Sequence, residues 1–130
     1  MKRTCVLIVV LIMAFIGSFL PLANAGEKLT KEETRQVITG NTVEEVFTEK
    51  VWQNKIYFTA DGKFKRIDQN GNPDSGKWDF DPDSSLCLER KKRKCWYLEA
   101  AEEGVYHVIG RKSGQHKKTW RLVSGNPYKL

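Results

Sequence analysis

A small, mainly β domain with one short helix in front of it is what this sequence predicts. Three observations carry that expectation. Short segments of alternating polar and apolar residues recur from about residue 43 onward, turn-forming residues separate them at near-regular spacing, and two cysteines fall symmetrically about one of those turns. Period-2 alternation places one set of side chains on a common face. About eight such strands, joined in sequence by tight turns, close most economically into an antiparallel up-and-down barrel, which leaves no strand edge exposed. A two-sheet sandwich is the alternative arrangement.

The chain begins with Met1-Lys2-Arg3, two positive charges ahead of an uncharged and almost wholly apolar run, Cys5 to Leu20. Pro21 breaks that run, and Ala23-Asn24-Ala25 offers the small side chains that a signal peptidase accepts. Residues 1–25 are expected to be a cleaved export signal, with residues 26–130 forming a single periplasmic or secreted domain. A retained anchor is the competing reading, but the apolar run falls short of the roughly 20 residues a spanning helix needs. The protein is therefore not expected to span a membrane.

Loss of Cys5 leaves Cys87 and Cys95 as a pair, and loss of Lys2 and Arg3 leaves 20 basic against 16 acidic residues. A pair of cysteines in an oxidising compartment predicts a disulfide. A domain of about 105 residues, residues 26 to 130, buries only roughly 65% of its surface on folding and gains from such a constraint. Metal binding would call for further Cys or His near the pair, and none is present, so neither metal nor cofactor is expected.

Thr30-Lys31-Glu32-Glu33 reads as a capping box, because the Thr30 hydroxyl can accept from the Glu33 amide while the Glu33 carboxylate reaches back. A short helix to about Thr39 follows, stopped by Gly40-Asn41. Turns are expected at Asp61-Gly62, Asn70-Gly71-Asn72-Pro73, Asp81-Pro82-Asp83, Arg90 to Arg93, Glu102-Glu103-Gly104 and Ser113-Gly114. Strands are expected near 43–50, 54–60, 63–68, 76–80, 85–89, 95–100, 105–111 and 117–123.

Alternation within these segments selects an inner face carrying Trp78 and Phe80, Leu86 and Leu88, Trp96 and Leu98, Tyr106 and Val108, Trp120 and Leu122. If Cys87 faces Cys95 across a hairpin, the turn centres on Lys91 and Leu86 falls opposite Trp96 on that same face. The cysteines and the apolar pattern thus choose one register. With four tryptophans, Trp52, Trp78, Trp96 and Trp120, the interior is either filled or leaves room for one apolar ligand, with Trp78, Phe80, Leu86, Trp96, Tyr106 and Trp120 as its lining.

Arg90-Lys91-Lys92-Arg93-Lys94 is the most unusual local feature. Without these five the remainder holds 15 basic against 16 acidic residues, so the positive balance sits on one hairpin. Successive turns of a meander alternate between the two ends of a barrel, which brings Arg111, Lys112, Lys117 and Lys118 to the same end and collects Asp61, Asp81, Asp83, Glu102 and Glu103 at the other. A basic end attracts polyanions by Coulomb steering. Outside the cytoplasm the partners expected are anionic lipid headgroups, lipopolysaccharide phosphates, acidic polysaccharide or an acidic protein surface, and nucleic acid is not expected. Charged hairpin tips that serve only solubility are the competing account.

Catalytic signals are absent. Asp79-Phe80-Asp81-Pro82-Asp83 opens like a calcium loop, but Ser84 and Arg90 stand where the loop needs glycine and an acid. His107 and His116 fall on different expected strands and read as ordinary polar side chains, with no nucleophile in a recognisable context beside either.

In their order, Ile38-Thr39-Gly40-Asn41-Thr42 after a short helix, Tyr57-Phe58-x-x-Asp61-Gly62, Gly76-Lys77-Trp78, Leu86-Cys87 with Cys95 following, and Gly125-Asn126-Pro127 resemble a family of small exported bacterial proteins known only as a domain of unknown function. The resemblance implies a periplasmic, single-disulfide, β-rich domain and supplies no catalytic residues. Gly76-Lys77-Trp78 is also similar to the G-x-W of lipocalin-like barrels, although it lies mid-chain here. Size and cysteine count resemble periplasmic inhibitors of metalloproteases, in which Gly26 to Thr30 would be the arm that enters the protease. The function expected is a non-enzymatic binding or structural module that contacts anionic envelope components through its basic hairpin. A protease inhibitor and a carrier of a small apolar ligand are the alternatives.

Overall fold

The computed structural model describes residues 26–49 and 53–130. The expected export signal, Cys5 within it, Lys50 at the end of the first expected strand and Trp52 lie outside the described residues. Helix α1 spans Lys31–Ile38, followed by β1 (Thr42–Phe47), β2 (Gln53–Phe58), β3 (Lys63–Asp68), β4 (Pro73–Phe80), β5 (Leu86–Glu89), β6 (Arg93–Ala100), β7 (Val105–Gly110) and β8 (His116–Val123). Each strand pairs antiparallel with the next, and β8 returns to β1, so the sheet is a closed barrel of eight strands. The up-and-down barrel forms, and the sandwich does not.

Local chemistry explains the helix. The Glu33 amide donates to the Thr30 hydroxyl at 3.2 Å and the Thr30 amide donates to the Glu33 carboxylate at 3.1 Å, so both arms of the capping box are made. Gly40 then takes φ 72°, a left-handed conformation that frees its amide to donate to the Phe58 carbonyl at the end of β2. Lys31 and Arg35 lie over the ring of Phe80 at the end of β4. The helix thus runs across one end of the barrel and drops Ile38, fully buried, into the core.

Strand β3 has its expected bounds and the others differ at one or both ends; β1 and β2 stop early, at Phe47 and Phe58, and β4 and β6 start two or more residues early. Strand β4 begins at Pro73, because Ile67 pairs with it and Pro is tolerated as the first residue of a strand. Strand β6 begins at Arg93, opposite Glu89, which shortens the hairpin tip to Arg90–Lys92. The register itself is the expected one: Leu86 faces Trp96, and Cys87 faces Cys95 and is disulfide-bonded to it.

Strand β5 is four residues long and pairs only with the first half of β6. The vacated edge of β6 is taken by the N-terminal segment. Gly26 and Leu29 donate to the carbonyls of Ala100 and Leu98, and the Ala100 amide donates to Glu27. Leu29 is buried in the core. The segment read from sequence as an arm is therefore laid into the sheet.

The half of the barrel nearest the helix is filled. Phe58 packs tilted on Trp120 at 5.6 Å and edge-on to Trp78 at 6.2 Å, and Trp78 is edge-on to Phe80. The Trp78 indole donates to the Thr59 carbonyl, so its one polar atom is satisfied. Gly76 faces inward two residues before Trp78, and a Cβ there would lie 2.7 Å from the Phe64 ring and against the Glu89 carbonyl. Gly76→Ala is expected to cost about 1–3 kcal/mol through overpacking against backbone that cannot move aside. A urea titration checks this, and an unchanged midpoint would show that the ring can give way.

Candidate functional site

The half of the barrel away from the helix is not filled. A cavity of about 770 Å³ opens at the end formed by the β5–β6 and β7–β8 turns. Strand parity builds its wall. Two residues toward the helix, Arg66 gives way to Phe64, Lys94 to Trp96 and Arg90 at the hairpin tip to Leu88, all six lining the cavity, while Glu45 and Lys118, which also line it, stand two residues from Val43 and Trp120 of the core. A ring of mostly charged groups therefore stands above a ring of hydrocarbon.

Lys118 and Glu45 are the deepest of the charged groups, 7% and 2% exposed. The Lys118 ammonium lies 2.8 Å from Glu45 Oε2 and 4.1 Å from the centroid of the Trp96 ring. Asn54 Nδ2 donates to Glu45 Oε1 at 2.8 Å and the Trp120 indole donates to Oε2 at 2.7 Å. Burial pushes the Glu45 carboxyl up, but the ammonium and these hydrogen bonds prevail and hold it below the ordinary carboxylate value. Burial lowers the Lys118 ammonium, and Arg66 and Lys94 lower it further against the pull of Glu45.

Among the described residues, the cavity is lined by seven Lys and Arg side chains and three Asp and Glu side chains. Two acids are committed, Glu45 to Lys118 and Asp74 to Arg90. That leaves Arg66, Lys91, Lys92, Lys94 and Lys117 against Glu49. Arg66 Nε is buried with no hydrogen-bond partner among the described residues.

The nine sequence-predicted basic residues divide into four groups, and Arg90, paired with Asp74, belongs with those that line the cavity. Lys91, Lys92, Lys94 and Lys117 stand at the mouth as expected, while Lys112 is exposed in the β7–β8 turn and does not line the cavity. Lys118 is not a tip residue: it shares parity with Trp120 and Leu122 and points inside. Arg93 and Arg111 lie on the outer wall, where Arg93 meets Asp79 at 2.7 Å and Asp81 at 2.6 Å, and Arg111 meets Asp81 and, at 3.9 Å, Asp83. Strand tilt explains this, since the row Asp79, Cys87, Cys95 continues one step past the Trp96–Gly110 pair to Arg111. Hydrogen bonds from Arg93 and Arg111 hold the Asp81 carboxyl below its ordinary value. The two ends are therefore less cleanly divided in charge than the turns alone predict.

Of the residues read as interior, Trp96 lines the cavity, whereas Trp78, Phe80, Leu86, Tyr106 and Trp120 belong to the packed core or lie against it. Sequence reading missed Glu45 and Arg66, although each shares parity with an apolar inward neighbour. His107 and His116, on neighbouring strands, stack at 3.9 Å, and burial followed by the His107 charge lowers the His116 imidazole. Asp81, Cys87 and Cys95 are the one grouping of metal-ligand type among the described residues, and its two sulfurs are bonded to each other. Among the described residues no helix is long and apolar enough to cross a membrane. No family model and no curated protein matches the chain.

Proposed function

We propose that the protein is an exported, non-enzymatic binding module that takes a negatively charged envelope component at the basic end of its barrel. The observation that carries this reading is the unbalanced charge at the cavity mouth, where, among the described residues, Arg66, Lys91, Lys92, Lys94 and Lys117 face Glu49 as the one lining carboxylate not already paired. Solubility alone would be served by lysines scattered over the outer surface. Cations turned toward a concave, partly apolar space instead focus potential on whatever enters it.

Retention of the purified protein on phosphatidylglycerol vesicles, and not on phosphatidylcholine vesicles, is the expected result. It should weaken progressively as salt is raised from 50 to about 500 mM, because exposed lysines are screened over a Debye length of roughly 10 Å at 0.1 M salt. Equal binding to both lipids would dispose of the reading. The double change Lys91→Gln and Lys92→Gln is expected to reduce the salt dependence without altering thermal stability, since both side chains are exposed.

A further inference from the structure

We infer that the cavity holds a single-tailed amphiphilic anion, tail inward, with its acidic head held by Arg66, Lys94 and Lys118 and its hydrocarbon against Ile56, Phe64, Leu88 and Trp96. This rests on the anion-binding reading above and assigns that site a class of ligand.

The layering of the wall carries the inference. Arg66, Arg90 and Lys94 are each succeeded, one inward step deeper, by an apolar residue that also lines the cavity, Phe64, Leu88 and Trp96, so a ligand meets charge at one depth and hydrocarbon and aromatic rings beyond it. A compact inorganic anion would leave the lower ring facing empty space. An uncharged hydrocarbon would leave Arg66, Lys94 and Lys118 lining the cavity with Glu45, among the described residues, the one carboxylate paired with any of them. An amphiphile with one acidic head satisfies both layers. The volume, about 770 Å³, lies within the roughly 300–1,000 Å³ of small-molecule sites. Its apolar lining, Ile56, Phe64, Leu88 and Trp96, belongs to or packs against the same core as Phe58, Trp78 and Trp120, which limits how long a tail can be.

Head chemistry and tail chemistry are separable by calorimetry with three probes. Decanoate is expected to bind the purified protein at least about tenfold more tightly than decanol, which keeps the tail and loses the charge. Butyrate, which keeps the charge and loses most of the tail, is expected to bind at least about a hundredfold more weakly than decanoate. Arg66→Gln should weaken decanoate about tenfold and leave decanol unchanged. Lys94→Gln, at an exposed side chain, should act in the same direction and decides the matter if Arg66→Gln does not fold.

Equal affinity for decanoate and decanol, or for decanoate and butyrate, would overturn the inference, as would decanoate binding indifferent to both substitutions. Salt-dependent retention on phosphatidylglycerol vesicles with no heat from decanoate removes this inference and leaves the anion-binding reading standing. Failure of both removes both.

Discussion

Glu45→Gln is expected to lower the unfolding free energy by about 3–5 kcal/mol, because it leaves the Lys118 ammonium buried without its counter-charge. The carboxylate also accepts from Asn54 and from the Trp120 indole, so the substitution disturbs a network as well as a pair. Lys118→Met added to Glu45→Gln should recover a good part of the loss, since no unpaired charge then remains inside. Urea unfolding of the wild type, both single variants and the double variant gives the coupling directly, and a single-variant loss under about 1 kcal/mol would show that water reaches the pair.

The same pair predicts a pH signature. The Glu45 carboxyl is held below its ordinary value, so its contribution is fully present above the unfolded carboxylate value, about 4.3, and is lost as pH falls through the lower folded value. The stability gap between wild type and Glu45→Gln should therefore close in acid. A gap that persists unchanged to pH 2 would mean the carboxylate contributes by shape alone.

Removing the disulfide by Cys87→Ala with Cys95→Ala is expected to cost about 2.5 kcal/mol, the chain entropy that a loop this short withholds from the unfolded state. For a domain of this size that corresponds to a fall in Tm on the order of 10–20 °C. The barrel should still close. Arg93 and Arg111 join β6 and β7 to the Asp81 and Asp83 carboxylates over the same stretch of wall, and Leu86 remains paired with Trp96 beneath it. Thermal unfolding with and without reductant checks this on the unmodified protein, and coincident curves would show that the bond is redundant.

Much of the fold was legible because its signals are local. The Thr30–Glu33 capping box, the turn between Cys87 and Cys95 and the parity of Trp96 with Leu98 each need only a few neighbouring residues, and each is made as read. The seating of Gly26 to Leu29 along β6 was not legible, because it depends on β5 ending early and leaving that edge open. Nor was the pairing of Arg93 and Arg111 with Asp81, which follows from the tilt of strands around a closed barrel. The cavity wall was within reach. Parity that turns Trp120 and Phe64 inward turns Lys118 and Arg66 inward as well, but a charge near a turn reads as solvated until the barrel proves too wide for its side chains to fill. Glu45 is hidden for the same reason, in a strand whose Glu44 faces out.

Helix α1 across one end, with the aromatic core beneath it, makes this barrel a stoppered vessel. On the binding function proposed above, and among the described residues, a ligand in the cavity would leave by the mouth through which it came. Loading and delivery would then be mutually exclusive events at one face, and a donor and an acceptor of such a ligand would have to take turns there.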